Sequence, residues 1–80
     1  MTKGEFRLGI AFNPSGSTQV DGVKQITAGL IDEMQPIVDK GGEAGRCAAL
    51  AQTQYEQAAM WAVKAITKPT DEYVKLFDED

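Results

Sequence analysis

The stretch EAGRCAALAQTQYEQAAMWAVKAITK, residues 43–68, decides the fold. It contains no proline, one early glycine at Gly45, and alanine throughout. Alanine is the residue best accommodated in a helix and proline the worst, so one long helix is expected here. Glu43 suits the positive end of a helix dipole, and Lys64 and Lys68 suit the negative end. Cys47, Leu50, Ala51, Tyr55, Ala58, Ala62 and Ala65 fall on one stripe, while Ala49, Met60, Trp61, Val63 and Ile66 lie on other faces. A helix apolar over so wide an arc has to be buried on more than one side. A single neighbouring helix does not cover it, which points to association between copies of the chain.

Upstream, Val20, Val23, Ile26, Leu30, Met34 and Ile37 repeat at three- and four-residue intervals. That spacing lays an apolar stripe along a helix from about Gln19 to Asp39. Gly22 and Gly29, seven apart on nearly the same face, each cost about 1 kcal/mol relative to alanine. Two such costs on one face suggest a close approach by a partner backbone or a ligand. Pro36 predicts a kink or a broken last turn near Met34–Pro36. Lys40-Gly41-Gly42 ends the helix, and so short a connection makes the next helix its antiparallel neighbour.

Residues 12–18, Phe-Asn-Pro-Ser-Gly-Ser-Thr, read as a turn, because Pro14 moves Asn13 away from helical angles and Asn, Ser and Gly favour turns. Ser17 or Thr18 offers an N-cap, and Thr18 to Asp21 has capping-box spacing. Before the turn, Phe6, Leu8 and Ile10 alternate with Arg7 and Gly9. This weak strand pattern has no partner strand, so an extended arm is expected. After the long helix, Pro69-Thr70-Asp71 is a stop, with a short segment carrying Tyr73, Val74, Leu76 and Phe77 and a solvated tail at Asp78–Asp80. The expectation is therefore all-α: one domain over residues 1–80, comprising arm and turn (1–18), two antiparallel helices (19–39 and 43–68) and a tail (69–80), assembled into a compact helical homo-oligomer.

Composition supports that assembly. In 80 residues there is one cysteine and no histidine. A chain this short buries only about 60% of its unfolded surface, and it usually needs a disulfide, a metal or a partner copy. An intrachain disulfide is impossible, and a single thiol among scattered carboxylates makes no zinc site. Cys47, between small apolar residues, reads as a core residue in a reducing compartment. The net charge of −4 opposes DNA or RNA, whose binding rests on phosphate neutralisation; it leaves room for a small nucleotide. No apolar run approaches the roughly 20 residues of a membrane span, and no signal-peptide pattern opens the chain. A cytoplasmic location is expected.

Catalytic candidates are few. Asp32 and Glu33 are adjacent on a helix and do not converge, and no histidine is present to activate a nucleophile. An enzyme is not expected, and no cofactor motif is present. Binding candidates are better. Phe12-Asn13-Pro14-Ser15-Gly16 offers an aromatic face, an amide and backbone N–H groups ahead of a helix N-terminus, which favours anions. An aromatic ring can stack on a base, and Lys24, within two turns, could reach a phosphate. The simpler reading is an ordinary loop with Phe12 in the core. Arg46 and Thr53 lie seven apart on one face, continued by Gln57 and Lys64, and could hold a phosphate; a solvated polar face is the simpler reading there too.

Residues 12–16 (FNPSG), 30–32 (LID), 42–51 (GEAGRCAALA) and 56–67 (EQAAMWAVKAIT) together resemble the helical-hairpin domain of phage anti-CBASS and anti-Thoeris proteins. The likeness spans about Phe12 to Lys68. It implies a compact helical oligomer, commonly a hexamer, in the cytoplasm of an infected bacterium. The oligomer binds cyclic dinucleotides and cyclic trinucleotides, or glycocyclic ADP-ribose in the anti-Thoeris branch, without cleaving them. It also implies a dinucleotide site at a protomer interface using Phe12, Asn13 and Lys24, and a trinucleotide site using Arg46 and Thr53. Phe12 stands where the family often has tyrosine, so stacking is kept and a hydroxyl is lost. The anti-Thoeris branch carries a larger N-terminal β region that this chain lacks, so the anti-CBASS type is favoured. The alternative is a helical oligomeric interaction protein whose apolar face docks a host or phage protein.

Overall fold

The computed structural model describes residues 1–68. The expected stop at Pro69, the segment from Tyr73 to Phe77 and the Asp78–Asp80 tail lie outside the described residues. Three helices follow in order: α1, Lys3–Leu8; α2, Thr18–Lys40; and α3, Gly42–Thr67. Among the described residues there is no strand.

α2 and α3 form the antiparallel hairpin, and α1 packs chiefly on α2. Gly41 alone joins them, with φ +74°, and Gly42 follows at φ +69°. Both values lie in the region that glycine enters without a Cβ penalty, so this pair reverses the chain within one residue. α2 begins at the Ser17 cap, whose hydroxyl accepts the Val20 N–H. Asp21 does not complete a capping box; its carboxylate accepts from Asn13 instead. The last turn is not broken at Pro36, and α2 runs on to Lys40.

The expected extended arm is a helix. Thr2 and Glu5 form a reciprocal capping box, and Gly9 closes α1 in the left-handed conformation. The alternation of Phe6, Leu8 and Ile10 misleads here, because the buried positions are Gly4 and Leu8, four apart, while Phe6 is exposed. Gly4 is where α1 meets α2. A Cβ built there would lie 2.1 Å from the Ala28 carbonyl oxygen, and the Gly4 N–H donates to Asp32 Oδ1 at 2.8 Å. Gly45 plays the same part in the hairpin, since its Cβ would sit 3.2 Å from the Ile37 and Val38 carbonyl oxygens. Gly22 and Gly29, the expected points of close approach, have open space around them.

The core is thin. Leu8, Ile31 and Ala59 form its centre, with Val23 and Tyr55 packed against them. On α3 the inward line is Gly45, Ala48, Gln52 and Ala59; of the expected stripe, Ala51, Tyr55 and Ala62 are half-buried beside that line, while Cys47, Leu50, Ala58 and Ala65 are exposed. Cys47 is exposed, its thiol facing Glu43, because the inward line passes one position further along. Gln52 is 2% exposed. Its amide donates to the Ile31 carbonyl and to Gln35 Oε1, each at 3.0 Å, and its oxygen accepts from Arg7. Ile26, Leu30, Leu50, Met60 and Trp61 point outward.

In Gly4→Ala the new methyl has no room against the Ala28 carbonyl, so α1 leaves α2. Overpacking of this kind costs about 1–3 kcal/mol. Urea denaturation should show that loss, and hydrogen exchange should show α1 amides deprotected while α2 and α3 stay protected. Unchanged α1 protection would show that the contact is not limiting.

Candidate functional site

The turn from Gly9 to Ser17 closes over the start of α2 through side chains. Asn13 organises it. Its Nδ2 donates to the Ser17 carbonyl (2.8 Å) and to Asp21 Oδ1 (2.9 Å), and its Oδ1 accepts from the Ser15 hydroxyl (2.6 Å). The amide expected to read a ligand edge is therefore committed within the turn. Gly16 supports the same geometry, with φ +68° and its N–H donating to the Asn13 carbonyl.

Lys24 is buried, which its place on the polar side of the periodic pattern did not suggest. Its ammonium donates to the Gly9 carbonyl (3.2 Å) and to the Phe12 carbonyl. The same nitrogen lies 5.7 Å from the centroid of the Phe12 ring, a cation–π distance. A buried ammonium needs compensating partners, and two carbonyls and a ring provide them. Lys24 thus ties the turn to α2 and sets the position of Phe12. Phe12 itself is 72% exposed, so it is not the core residue of a hydrophobic staple.

Phe12, Asn13, Pro14, Ser15, Val20, Lys24, Val63 and Thr67 line an open cleft of about 280 Å³. Sequence reasoning missed Val63 and Thr67. Nothing local marks them; antiparallel pairing brings the end of α3 beside the start of α2. Arg46 and Thr53 are not part of this cleft. Arg46 lies 18 residues before Lys64 on α3, roughly 27 Å along the axis, near the Gly41 end of the hairpin. There it makes a two-pronged pair with Glu43, Nε to Oε2 at 3.0 Å and Nη2 to Oε1 at 2.5 Å. The Arg46 guanidinium holds the Glu43 carboxyl below its ordinary pKa, opposed by desolvation and aided by the Cys47 thiol, and Glu43 raises Arg46 in turn. Any stability from the pair is present above the ordinary carboxylate pKa and is lost as pH falls through the depressed one. Thr53 is exposed, and its hydroxyl donates to the Ala49 carbonyl. One chain therefore does not bring the two sets of expected site residues together.

The short helix, the glycine-jointed hairpin and the aromatic turn at its open end coincide with a known domain. The family model described as Acb2/Tad1, hairpin domain, matches residues 4–67. The chain belongs to the Acb2/Tad1 hairpin family. This is the anti-CBASS and anti-Thoeris sponge family, whose members sequester a signal rather than act as enzymes. The Acb2/Tad1 match begins at Gly4, upstream of the Phe12–Lys68 likeness, and takes in all of α1 but its first residue. Neither a curated protein nor a solved structure matches the chain.

The Lys24 bridge can be tested within this Acb2/Tad1 hairpin. Lys24→Met keeps the aliphatic stem and removes the donor, leaving the Gly9 and Phe12 carbonyls without that partner. An unmet buried polar group costs about 1–3 kcal/mol. The variant should melt at a lower temperature, and amide exchange should quicken at Phe12 and Gly16. Unaltered exchange in the turn would remove Lys24 from its support.

Proposed function

We propose that this chain is a phage anti-defence sponge. It binds cyclic dinucleotide and cyclic trinucleotide immune messengers in the cytoplasm of the infected bacterium and withholds them, uncleaved, from the CBASS effector. Glycocyclic ADP-ribose, the Thoeris signal, is a third ligand of the same chemical kind. The observation that carries this reading is the exposed Phe12 ring, held by Lys24 and Asn13 at the mouth of a cleft, in a chain of the sponge family. A rigid exposed aromatic surface is what a nucleobase stacks on, and stacking contributes about 1–3 kcal/mol per base. Phe12 is the residue assigned to the ligand, while Asn13, Pro14, Ser15, Gly16 and Lys24 set its position.

A homo-oligomer is part of the proposal, with a hexamer as the family expectation. The outward Ile26, Leu30 and Leu50 support it, because removing apolar side chains from water between copies is favourable. Association would also gather the Arg46 and Thr53 faces of several copies, which is how the trinucleotide site would assemble. The same outward residues support the second reading, a helical interaction protein that docks a host or phage protein; pull-down from infected cells would identify such a partner.

Calorimetric titration with cyclic GMP-AMP, cyclic tri-adenylate and glycocyclic ADP-ribose tests the first reading, and silence with all of them rejects it. Ligand recovered intact after denaturation separates a sponge from a phosphodiesterase. Phe12→Ala should weaken cyclic dinucleotide binding by about tenfold or more while light scattering reports an unchanged mass. Glu43→Gln frees Arg46 from its ion pair, so cyclic tri-adenylate should bind more tightly to that variant. An unchanged trinucleotide affinity would take Arg46 out of the site.

A further inference from the structure

The Phe12 cleft does not end at Thr67. It shares Lys24, Val63 and Thr67 with an adjoining cleft that extends to Met60 and Lys64. That cleft shares Met60 and Lys64 with a third, walled by Gln57 and Trp61. Acidic side chains outnumber basic ones in this chain by 12 to 8. Among the described residues, however, the charged side chains lining all three clefts are Lys24 and Lys64, with no carboxylate. The groove is a cationic strip on an acidic protein, and it suits a phosphorylated ligand.

Its two lysines differ. The Lys24 ammonium is buried and shared between the Gly9 and Phe12 carbonyls. Lys64 is exposed and, among the described residues, has neither an ion pair nor a hydrogen bond from its ammonium. It lies 5.1 Å from the centroid of the Trp61 ring, which is itself 69% exposed. A lysine ammonium is a compact point charge suited to phosphate, and an exposed indole is a stacking surface for a base. They stand three positions apart on the helix, so they share a face.

We propose that Trp61 and Lys64 form a second nucleotide contact at the outer end of this groove, the base stacking on Trp61 and the phosphate meeting Lys64. The choice of ligand rests on the sponge reading. The contact involves neither Phe12 nor Arg46, and it makes Lys64 the phosphate partner and Lys24 a positioning residue.

Trp61 is the chain's single tryptophan, so the indole emission comes from this position alone. Cyclic GMP-AMP should quench that emission saturably at the concentrations at which it releases heat. Trp61→Ala should weaken calorimetric binding by about tenfold or more, with the light-scattering mass unchanged. Lys64→Gln should weaken binding and flatten its dependence on salt, because a phosphate contact is screened by ions. Should Trp61→Ala fail to fold, quenching of the unaltered protein and Lys64→Gln still decide. Heat without quenching, at unchanged affinity in both variants, overturns this contact and leaves the sponge reading standing. A smaller assembly in Trp61→Ala overturns it differently, by placing Trp61 between copies of the chain. No heat with any ligand removes the sponge reading and this contact with it.

Discussion

Gln52 lies midway along α3 with its amide buried against α2. It donates to the Ile31 carbonyl and the Gln35 side chain and accepts from Arg7 of α1. A buried amide without partners costs about 1–3 kcal/mol, so these bonds fix which way Gln52 points. Because each helical residue turns about 100° from the last, fixing one fixes all. Gly45, Ala48 and Ala59 turn inward with Gln52, and Leu50, Met60 and Trp61 turn outward. Arg7 also pairs with Glu56 at 2.8 Å, so the same patch that orients α3 draws α1 onto the hairpin. Among the described residues no buried side-chain nitrogen or oxygen lacks a hydrogen-bond partner.

The small inward residues have a cost on the other side. Glycine and alanine let α2 and α3 approach closely, but they bury little apolar area, and hydrophobic stabilisation scales with that area. The larger apolar side chains remain outside, where a further copy of the chain could cover them. The proposed assembly and the proposed ligand surfaces thus follow from one choice of facing.

What could be read from the sequence divides along the range of the signals. The long helices and the Gly41 joint depend on neighbouring residues: the absence of proline, the alanine content and paired glycines. The turn at Phe12–Gly16 has the same local origin. α1 is hidden because the alternation of Phe6, Leu8 and Ile10 imitates a strand, and because the need for glycine at position 4 comes from Ala28 on another helix. The facing of α3 was hidden because alanine and cysteine sit equally well on either side, and because the partners of Gln52 lie 17 and 21 residues away. In the candidate site, Phe12 and Lys24 could be named from spacing. That Lys24 and Asn13 would spend their polar groups on the turn itself could not, since the acceptors are backbone carbonyls fixed only by the fold.

The one-residue joint at Gly41 bears on the order in which the hairpin forms. Closing a chain loop costs entropy that grows with its length, so contacts beside Gly41, such as Gly45 against Val38, are the cheapest to make. Contacts between the Phe12 turn and Thr67 span 55 positions and follow once α2 and α3 have zipped together. Elements that close last, far from the joint, are the first to open. The cleft stands at that end, so a ligand bound there would act as a clasp on the hairpin, raising its resistance to unfolding from the side where it is weakest.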